Sequence, residues 1–302
     1  MHINRRDFLK NIVLAAAGLP FVAGLRAVAE QIIASGKTVT IYVVHGKDIP
    51  KMLAEGMTRL GGWKSFVKPG KKAVLKPNAA WGSRPEQGGN THPELVRECA
   101  AACLTAFASE VVIPENPCTE AATAFPMSGI EEAVKKAGGR IYCPRNEDYE
   151  GVSLPAARIL KRAEVVRDVL HAECLINMPV AKSHSGATLT LSMKNWMGSV
   201  RDRGFWHKNG LHQCIADCST LIKPSLIILD ATRILLTHGP RGPGKLAYPE
   251  QIIFGCDPVA VDAYAATLFK KEPFDIPYIK IAHEMGIGCG DLSKVNVIHL
   301  NT

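Results

Sequence analysis

The stretch CLINMPVAKSHSGATLTLSMKNWMGSVR, at positions 174–201, decides the fold that this chain is predicted to adopt. Its first residues, 174–178, form an apolar run typical of a buried parallel strand. Pro179 cannot donate a hydrogen bond to a neighbouring strand, so the strand is predicted to end there. A helix is predicted over 187–196, with Gly198 as its C-terminal cap.

Polar side chains follow the predicted strand at once. Lys182 and His184 lie in the loop after it, and the predicted helix carries Lys194 and Asn195. Ligands of open α/β sheets bind outside the carboxyl ends of the strands, so these residues are candidates for an anion, metal or acid/base site. The structural alternative is a surface loop with solvated lysines.

The rest of the chain alternates short apolar strands with helices, which is the pattern of a mostly parallel sheet with right-handed crossovers. We therefore predict an α/β fold with a Rossmann-like sheet and helices on both faces, built as one large domain or as two sub-domains. Further strands are predicted at 38–44, 72–75, 110–114, 140–143, 225–229, 251–254 and 295–300, and further helices at 48–60, 93–107, 128–138, 211–221, 259–269 and 279–285.

Other strand ends supply further candidates. Lys76 and Asn78 follow the strand at 72–75, and Asp230 ends the strand at 225–229. His92 lies at a helix N-terminus, where anionic ligands are favoured. A residue in the Asp230 position can instead cap the next turn.

A second group of residues suggests a metal. His207, His212, Cys214 and Cys218 lie close together in sequence, and His184 precedes them. Imidazole and thiolate suit zinc, iron or copper, although no standard zinc spacing is matched. Alternatively, the two cysteines pack in the core or form a disulfide, and a histidine lies on the surface.

Several function classes are excluded by missing motifs. No G-x-G-x-x-G follows a predicted strand, and the glycine-rich segment at 239–245 lacks the spacing of a phosphate-binding loop. The nine cysteines contain no C-x-x-C, so a ferredoxin-type 4Fe-4S cluster is not supported. No run of basic residues alternates with aromatic ones, so nucleic acid is not an expected partner.

The first 29 residues are predicted to be a twin-arginine signal peptide. Arg5 and Arg6 precede Phe8-Leu9 and an apolar stretch at 12–25 that is too short for a confident membrane span. Cleavage is expected after Ala29, and an uncleaved membrane anchor is the alternative. The formal net charge of +8 includes this leader, so the mature chain is only mildly basic.

Seven blocks in order resemble the "domain of unknown function 362" family. They are LKPN at 75–78, THPELV at 91–96, INMPVAKSH at 176–184, LSMKNWMG at 191–198, LIILDA at 226–231, GP at 239–240 and DPVAVDA at 257–263. The resemblance implies a single α/β domain over 30–302. Many members are described as iron–sulfur proteins because they carry ferredoxin-like cysteine runs, which this chain lacks. The Thr-His pair at a helix start and a later lysine also resemble the lactate-racemase family.

Three functions are compatible with these observations. The first is an exported metal- or cofactor-dependent enzyme, an oxidoreductase, that acts on a small anionic substrate, its cofactor being unidentified. The second is a metal-free acid/base isomerase or lyase that acts on a carboxylate. The third is a non-catalytic accessory protein of a periplasmic redox system with a membrane partner. Each implies export by the twin-arginine machinery to the periplasm.

Overall fold

The computed structural model describes residues 38–302, so the predicted leader lies outside the described residues. The strands, numbered in chain order, are β1 (Val39–His45), β2 (Ala73–Pro77), β3 (Val111–Pro114), β4 (Arg140–Tyr142), β5 (Tyr149–Ser153), β6 (Arg162–Val166), β7 (Cys174–Met178), β8 (Val180–His184), β9 (Thr188–Thr190), β10 (Leu226–Leu235), β11 (Leu246–Ala247), β12 (Gln251–Gly255) and β13 (Val295–Asn301).

The α-helices, also in chain order, are α1 (Ile49–Arg59), α2 (Pro93–Thr105), α3 (Ala121–Ser128), α4 (Ile130–Lys136), α5 (Arg167–Leu170), α6 (Arg203–Asn209), α7 (Leu211–Leu221), α8 (Pro258–Thr267) and α9 (Pro277–Glu284). Short 3-10 helices lie at Trp63–Ser65, Pro85–Gln87, Asn146–Asp148, Lys194–Ser199, Pro273–Asp275 and Leu292–Lys294. Side-chain caps fix several helix starts; Asp257, for example, accepts hydrogen bonds from Val259 N and Ala260 N.

One large sheet organises the described chain, with strands in the order β13-β1-β12-β10-β7-β2-β3-β4. All neighbouring pairs along this path are parallel except those of β12, which runs antiparallel to both β1 and β10. The predicted mostly parallel α/β sheet is therefore confirmed. The reversed direction of β12 was not predicted, because strand periodicity carries no information on direction.

Each face of the sheet has its own hydrophobic core. Residues alternate between the two faces along β2, so Val74 packs in one core while Ala73 and Leu75 pack in the other. Helices α1, α2 and α4 cover the second of these cores, and α7, α8 and α9 cover the first. Both faces are thus buried by helices, which explains why the central strands are continuously apolar.

The segment after β7 differs from its prediction. Strand β7 ends at Met178 as Pro179 requires, but the chain continues as β8, which pairs with β10 and β9. The helix predicted over 187–196 is wrong, because the segment forms strand β9 and then the 3-10 helix Lys194–Ser199. Every residue from Leu189 to Val200 is buried, so the amphipathic pattern of a surface helix does not apply.

The hairpin of β5 and β6 forms a separate two-stranded sheet that the sequence did not predict. Residues Val39–Thr302 nevertheless make up one compact unit. Within residues 38–302, no helix is long and apolar enough to cross a membrane.

Candidate functional site

The candidate site lies at the carboxyl ends of four adjacent parallel strands, β10, β7, β2 and β3. Lys76 of β2 pairs in register with Asn177 of β7, and Asn78 comes directly after β2. Glu115 follows β3, and the 3-10 helix Lys194–Ser199 packs over this edge. This is where α/β proteins most often bind small ligands.

Asn195 ties the strand ends together. Its Nδ2 donates to the Lys76 carbonyl at 2.8 Å and to Asn177 Oδ1 at 2.9 Å, and its Oδ1 accepts from Asn78 Nδ2 at 3.0 Å. All three asparagines are buried. Because each amide has a partner, the network stabilises one arrangement of the three segments rather than adding an unpaired polar group.

Lys76 has a dedicated counterion. Its Nζ lies 2.9 Å from Glu115 Oε2, and both side chains are 1% exposed. The same carboxylate oxygen accepts from Ala79 N at 3.0 Å, while Glu115 Oε1 is buried with no hydrogen-bond partner. This buried ion pair is neutral as a unit, so we assign Lys76 to positioning the strand ends rather than to holding a substrate.

Gly198 allows the ion pair to form. A Cβ at this position would lie 1.9 Å from Glu115 Oε1 and 2.8 Å from Lys76 Nζ. The Gly198 carbonyl also accepts from Asn116 N at 2.8 Å, which joins the 3-10 helix to the loop after β3. Only glycine permits this close approach without displacing the carboxylate.

Lys182 is the most unusual titratable group of the site. It is fully buried on β8, and its Nζ donates to Asn78 Oδ1 at 3.0 Å and to the Gly89 carbonyl. Neither partner is charged, so two of its three donors are satisfied without a counterion. Burial, followed by the positive charge of Lys194, lowers the pKa of Lys182 to about 7. The amine therefore changes protonation near neutral pH.

Lys194 is the second lysine without an acid. It is 7% exposed, and its Nζ contacts the thioether sulfur of Met197 at 2.9 Å. Burial lowers the pKa of Lys194 to about 8, and the Arg203 guanidinium acts in the same direction. None of the ion pairs within residues 38–302 includes Lys182, Lys194 or Arg203. The site is therefore strongly electropositive.

Asp262 on α8 positions the segment that carries Lys194. Its carboxylate accepts from Ser192 N at 2.7 Å and from Met193 N at 3.0 Å. Complete burial raises the pKa of Asp262 to about 7, against the hydrogen bonds that favour its charged form. Because these bonds fix the backbone immediately before Lys194, they set the direction of the lysine side chain.

His184 faces the two lysines but is not a proton-transfer group at neutral pH. Its Nδ1 accepts from Gly186 N at 3.0 Å and from Ala187 N at 3.1 Å, so the proton of the neutral ring lies on Nε2. Burial and the charges of Lys194 and Lys182 lower its pKa to about 3. The neutral ring can still donate a hydrogen bond to an anion through Nε2.

His92 and Asp230 have structural partners. His92 is the N-cap of α2, since its Nδ1 accepts from Glu94 N at 3.2 Å. Asp230 accepts from His92 N at 2.8 Å and from Arg233 Nη1 at 3.1 Å, and Arg233 also donates to the Asn90 carbonyl. These bonds hold the loop between β2 and α2 against β10, so both residues position the site.

The proposed metal ligands divide between two environments. The rings of His184 and His207 are stacked with centroids 6.5 Å apart, and His212 stacks on Tyr278. Cys214 and Cys218 instead lie in the hydrophobic core as free thiols. Nowhere in residues 38–302 do three His, Cys, Asp or Glu side chains come close enough to hold a metal ion. The five residues therefore do not form one ligand set.

A cleft of about 710 Å³ lies elsewhere, at the sheet edge formed by β4. It is lined by Lys72, Arg140, Tyr142, Cys143, Arg145, Glu147, Asp148, Arg167 and Asp168. Its main carboxylate is already paired, because Asp168 accepts from Lys72 at 2.9 Å and from the Tyr142 hydroxyl at 2.8 Å. Acidic and basic side chains alternate along this cleft, whereas Lys182 and Lys194 form no ion pair with any acid of residues 38–302. We therefore place the chemistry at the lysine site.

Comparison with known proteins agrees with the sequence resemblance. The family model described as "Domain of unknown function (DUF362)" matches residues 73–267. The chain belongs to the DUF362 family. A thylakoid-associated protein of Synechocystis sp. is 24% identical over 272 residues, which cover 83% of this DUF362 chain and 80% of the relative.

Two solved structures resemble this DUF362 protein at low TM-scores. A Thermotoga maritima protein from a structural genomics consortium has a TM-score of 0.45 and 8% identity, covering 78% of this chain. The lactate racemase apoprotein from Thermoanaerobacterium thermosaccharolyticum has a TM-score of 0.42 and 12% identity, covering 69%. The DUF362 chain spans 59% and 54% of these two chains, respectively.

Sequence reasoning missed three residues of the site. Glu115 and Asn177 end or follow strands as the recognised candidates do, so their position alone could have identified them. Asp262 is a charge inside an apolar helix, and its partners, Ser192 N and Met193 N, are distant in sequence, so no local pattern could show its role.

We predict that Gly198→Ala destabilises the protein by about 3 kcal/mol, because the added methyl group separates the buried Lys76–Glu115 pair. Gly151→Ala is the matched control, since a Cβ there meets no atom within 4 Å. Chemical denaturation measures both. Equal stabilities of the two variants would contradict the role assigned to Gly198.

We also predict how Lys182 affects stability as the pH changes. Its folded-state pKa is about 7 and its ordinary value 10.5, so the unfolded chain binds more protons between these values. The free energy of unfolding of the wild type, relative to Lys182→Met, should therefore be constant below pH 7 and rise by roughly 3 to 5 kcal/mol up to pH 10.5. Denaturation across this pH range measures the difference, and a flat difference would contradict the lowered pKa.

Proposed function

We propose that this DUF362 protein is an enzyme that binds a small carboxylate and moves a proton on it without a metal. The observation that carries the proposal is the pair of buried lysines, Lys182 and Lys194, that have no carboxylate partner. Lys76, in the same site, differs from them because it has Glu115 as its counterion. A buried charge without a partner is costly, so its presence at a strand-end site favours a role with an anionic ligand.

Lys194 would hold the anionic group. Its ammonium is the more basic of the two, with a pKa of about 8, and within residues 38–302 its nitrogen contacts only the Met197 sulfur. The Nε2–H of His184 would supply a second, neutral donor to the same anion. Binding an anion here offsets the repulsion between the two lysines, and the low dielectric around them strengthens the attraction.

Lys182 would move the proton. Two of its N–H groups are held by Asn78 and Gly89, so the third position, which is a lone pair in the neutral amine, is free to accept a proton. A base works best when its pKa is near the working pH, and that of Lys182 is about 7. With Lys194 holding the carboxylate, the proton next to that group is the natural one to remove. The reaction class is therefore isomerisation or elimination.

The metal-dependent redox alternative has less support from the geometry. It requires at least three ligands near one point, and the five candidates are divided between the His184–His207 stack, the ring of His212 and the core. Elemental analysis of protein purified from its native compartment tests it. One equivalent of a transition metal would restore this alternative.

The proposal predicts that the protein exchanges hydrogen for deuterium on a small carboxylate in D₂O. Proton NMR of a panel of 2-hydroxy, 2-oxo and unsaturated acids measures the loss of signal at the carbon beside the acid group. Lys182→Met should lower the exchange rate by about 100-fold or more, because the base is lost. Lys194→Met should instead raise the apparent KM. Lys194→Arg, which keeps the charge, should raise the apparent KM less.

Two results would contradict this function. Saturable binding of a carboxylate without exchange would identify a binding or accessory protein, the third function that the sequence allows. Full exchange activity in Lys182→Met would remove the assigned base. Circular dichroism of each variant confirms that it is folded.

We further propose that the chain is exported through the twin-arginine pathway and processed after Ala29. Support comes from the Arg5-Arg6 motif and the Ala27-Val28-Ala29 site. The association of the Synechocystis relative with thylakoids is compatible with a destination outside the cytoplasm.

Replacing Arg5 and Arg6 together by lysine should leave the full-length precursor in the cytoplasm, because the export machinery reads the arginine pair. Cell fractionation and intact-mass measurement follow the protein, and the exported wild type should begin at Glu30. A membrane-bound product that retains residues 1–29 would support the uncleaved anchor. Unchanged export of the lysine variant would contradict the pathway.

A further inference from the structure

Cys118 lies on the loop that follows β3, at the same edge of the sheet as the two lysines. Its thiol is exposed, and its backbone N donates to the Ala80 carbonyl at 2.8 Å. Like Lys76 and Asn78, it therefore occupies the carboxyl edge of the sheet. Unlike them, it can be reached from solvent.

Arg203 fixes this loop and contacts the thiol. Its Nη1 donates to the Asn116 carbonyl at 2.7 Å and lies 3.2 Å from Cys118 Sγ, and its Nη2 donates to the Pro117 carbonyl at 3.0 Å. A guanidinium that binds carbonyls keeps its full charge. The Cys118 sulfur is thus held next to a fixed cation.

The thiol also interacts with the buried lysines. A negative charge on Cys118 would raise the pKa of both Lys182 and Lys194. Lys194 is the independent indication of a ligand, since it is nearly fully buried and has no oxygen or nitrogen partner. The Asn116 N–H of the Cys118 loop donates to the Gly198 carbonyl at 2.8 Å, so this loop is joined directly to the 3-10 helix that begins at Lys194.

The segment that carries Lys194 also holds unpaired polar atoms. Thr190 Oγ1, Trp196 Nε1 and Ser199 Oγ are buried without a hydrogen-bond partner, and all belong to the segment that carries Lys194. Buried polar groups are almost always paired in folded proteins. Their concentration in one segment supports a polar ligand site there rather than an ordinary core.

We propose that Cys118 is a further catalytic residue of the lysine site, and that the substrate is a small carboxylate with a carbonyl carbon next to the acid group. The inference rests on the proposed function and names its substrate class. The sulfur forms a bond to the carbonyl carbon as the carbon–oxygen π bond breaks. The thiol proton passes to the Lys182 amine and from there to the new alkoxide oxygen, so the addition needs no other reactant and is reversible.

Charge-directed alkylation tests the placement of Cys118. Iodoacetate carries a carboxylate next to its reactive carbon, whereas iodoacetamide is neutral. In both, the sulfur bonds to carbon and iodide leaves. Peptide mass spectrometry gives, at each cysteine, the rate of alkylation by iodoacetate divided by the rate of alkylation by iodoacetamide. At Cys118 of the full chain, this ratio should exceed that at Cys143 by about tenfold or more, because the lysines attract the anion.

Cys143 is a matched internal control. It is also exposed and within electrostatic reach of Arg203, but the buried lysines are not among the groups that shift its pKa. Lys194→Met should lower the Cys118 ratio to the Cys143 value, while Lys194→Arg should preserve most of it. Equal ratios at the two cysteines of the wild type would overturn the proposal, as would a Lys194→Met variant that keeps the high ratio.

Glyoxylate separates this proposal from the proposed function. It should protect Cys118 reversibly from iodoacetamide, and acetate, which lacks the carbonyl group, should protect less. Glyoxylate that binds by calorimetry but leaves Cys118 fully reactive would overturn the role of the thiol and leave the anion site standing. If neither acid binds to the wild type, both the anion site and the role of Cys118 fail together.

Discussion

The arrangement depends on positive charge that is buried without an acid to neutralise it. Lys182 and Lys194 lie almost fully inside the protein, and within residues 38–302 their partners are an amide, a carbonyl and a sulfur. Burial disfavours both ammonium groups, and the charge of Lys194 also disfavours that of Lys182, so both pKa values fall toward neutrality. A fold that keeps two such groups together has to hold them firmly, because either would be more stable in water.

Three devices hold them. Asn195 joins the ends of β2 and β7 by hydrogen bonds. Asp262 fixes the backbone just before Lys194. Gly198, which has no Cβ, allows the 3-10 helix to pack against the Lys76–Glu115 pair. The devices come from different parts of the chain and act on one short segment. The parallel sheet brings these residues together, since adjacent parallel strands end at the same edge.

The sequence was sufficient to predict the α/β sheet and the edge at which Lys76, Asn78 and Lys182 meet, because both follow from apolar runs that end in polar residues. It was insufficient for the segment 187–196, where the interactions that decide the structure are long-range, such as those from Asp262. It could not show that the His92 ring caps α2, or that burial and two lysines lower the pKa of His184, because these effects depend on neighbours that only the fold brings near. Periodicity reports local structure, whereas pairing and electrostatics depend on contacts across the sheet.

The central claim is that the Lys182 amine titrates near neutral pH inside a site that has no acid of its own for it. Nitrogen-detected NMR of protein labelled at lysine Nζ, with Lys182→Arg used to assign the signal, measures this directly. The claim predicts a transition of that signal near pH 7, shifted to higher pH when a small carboxylate is bound. A Lys182 signal that remains that of an ammonium up to pH 10 would contradict it.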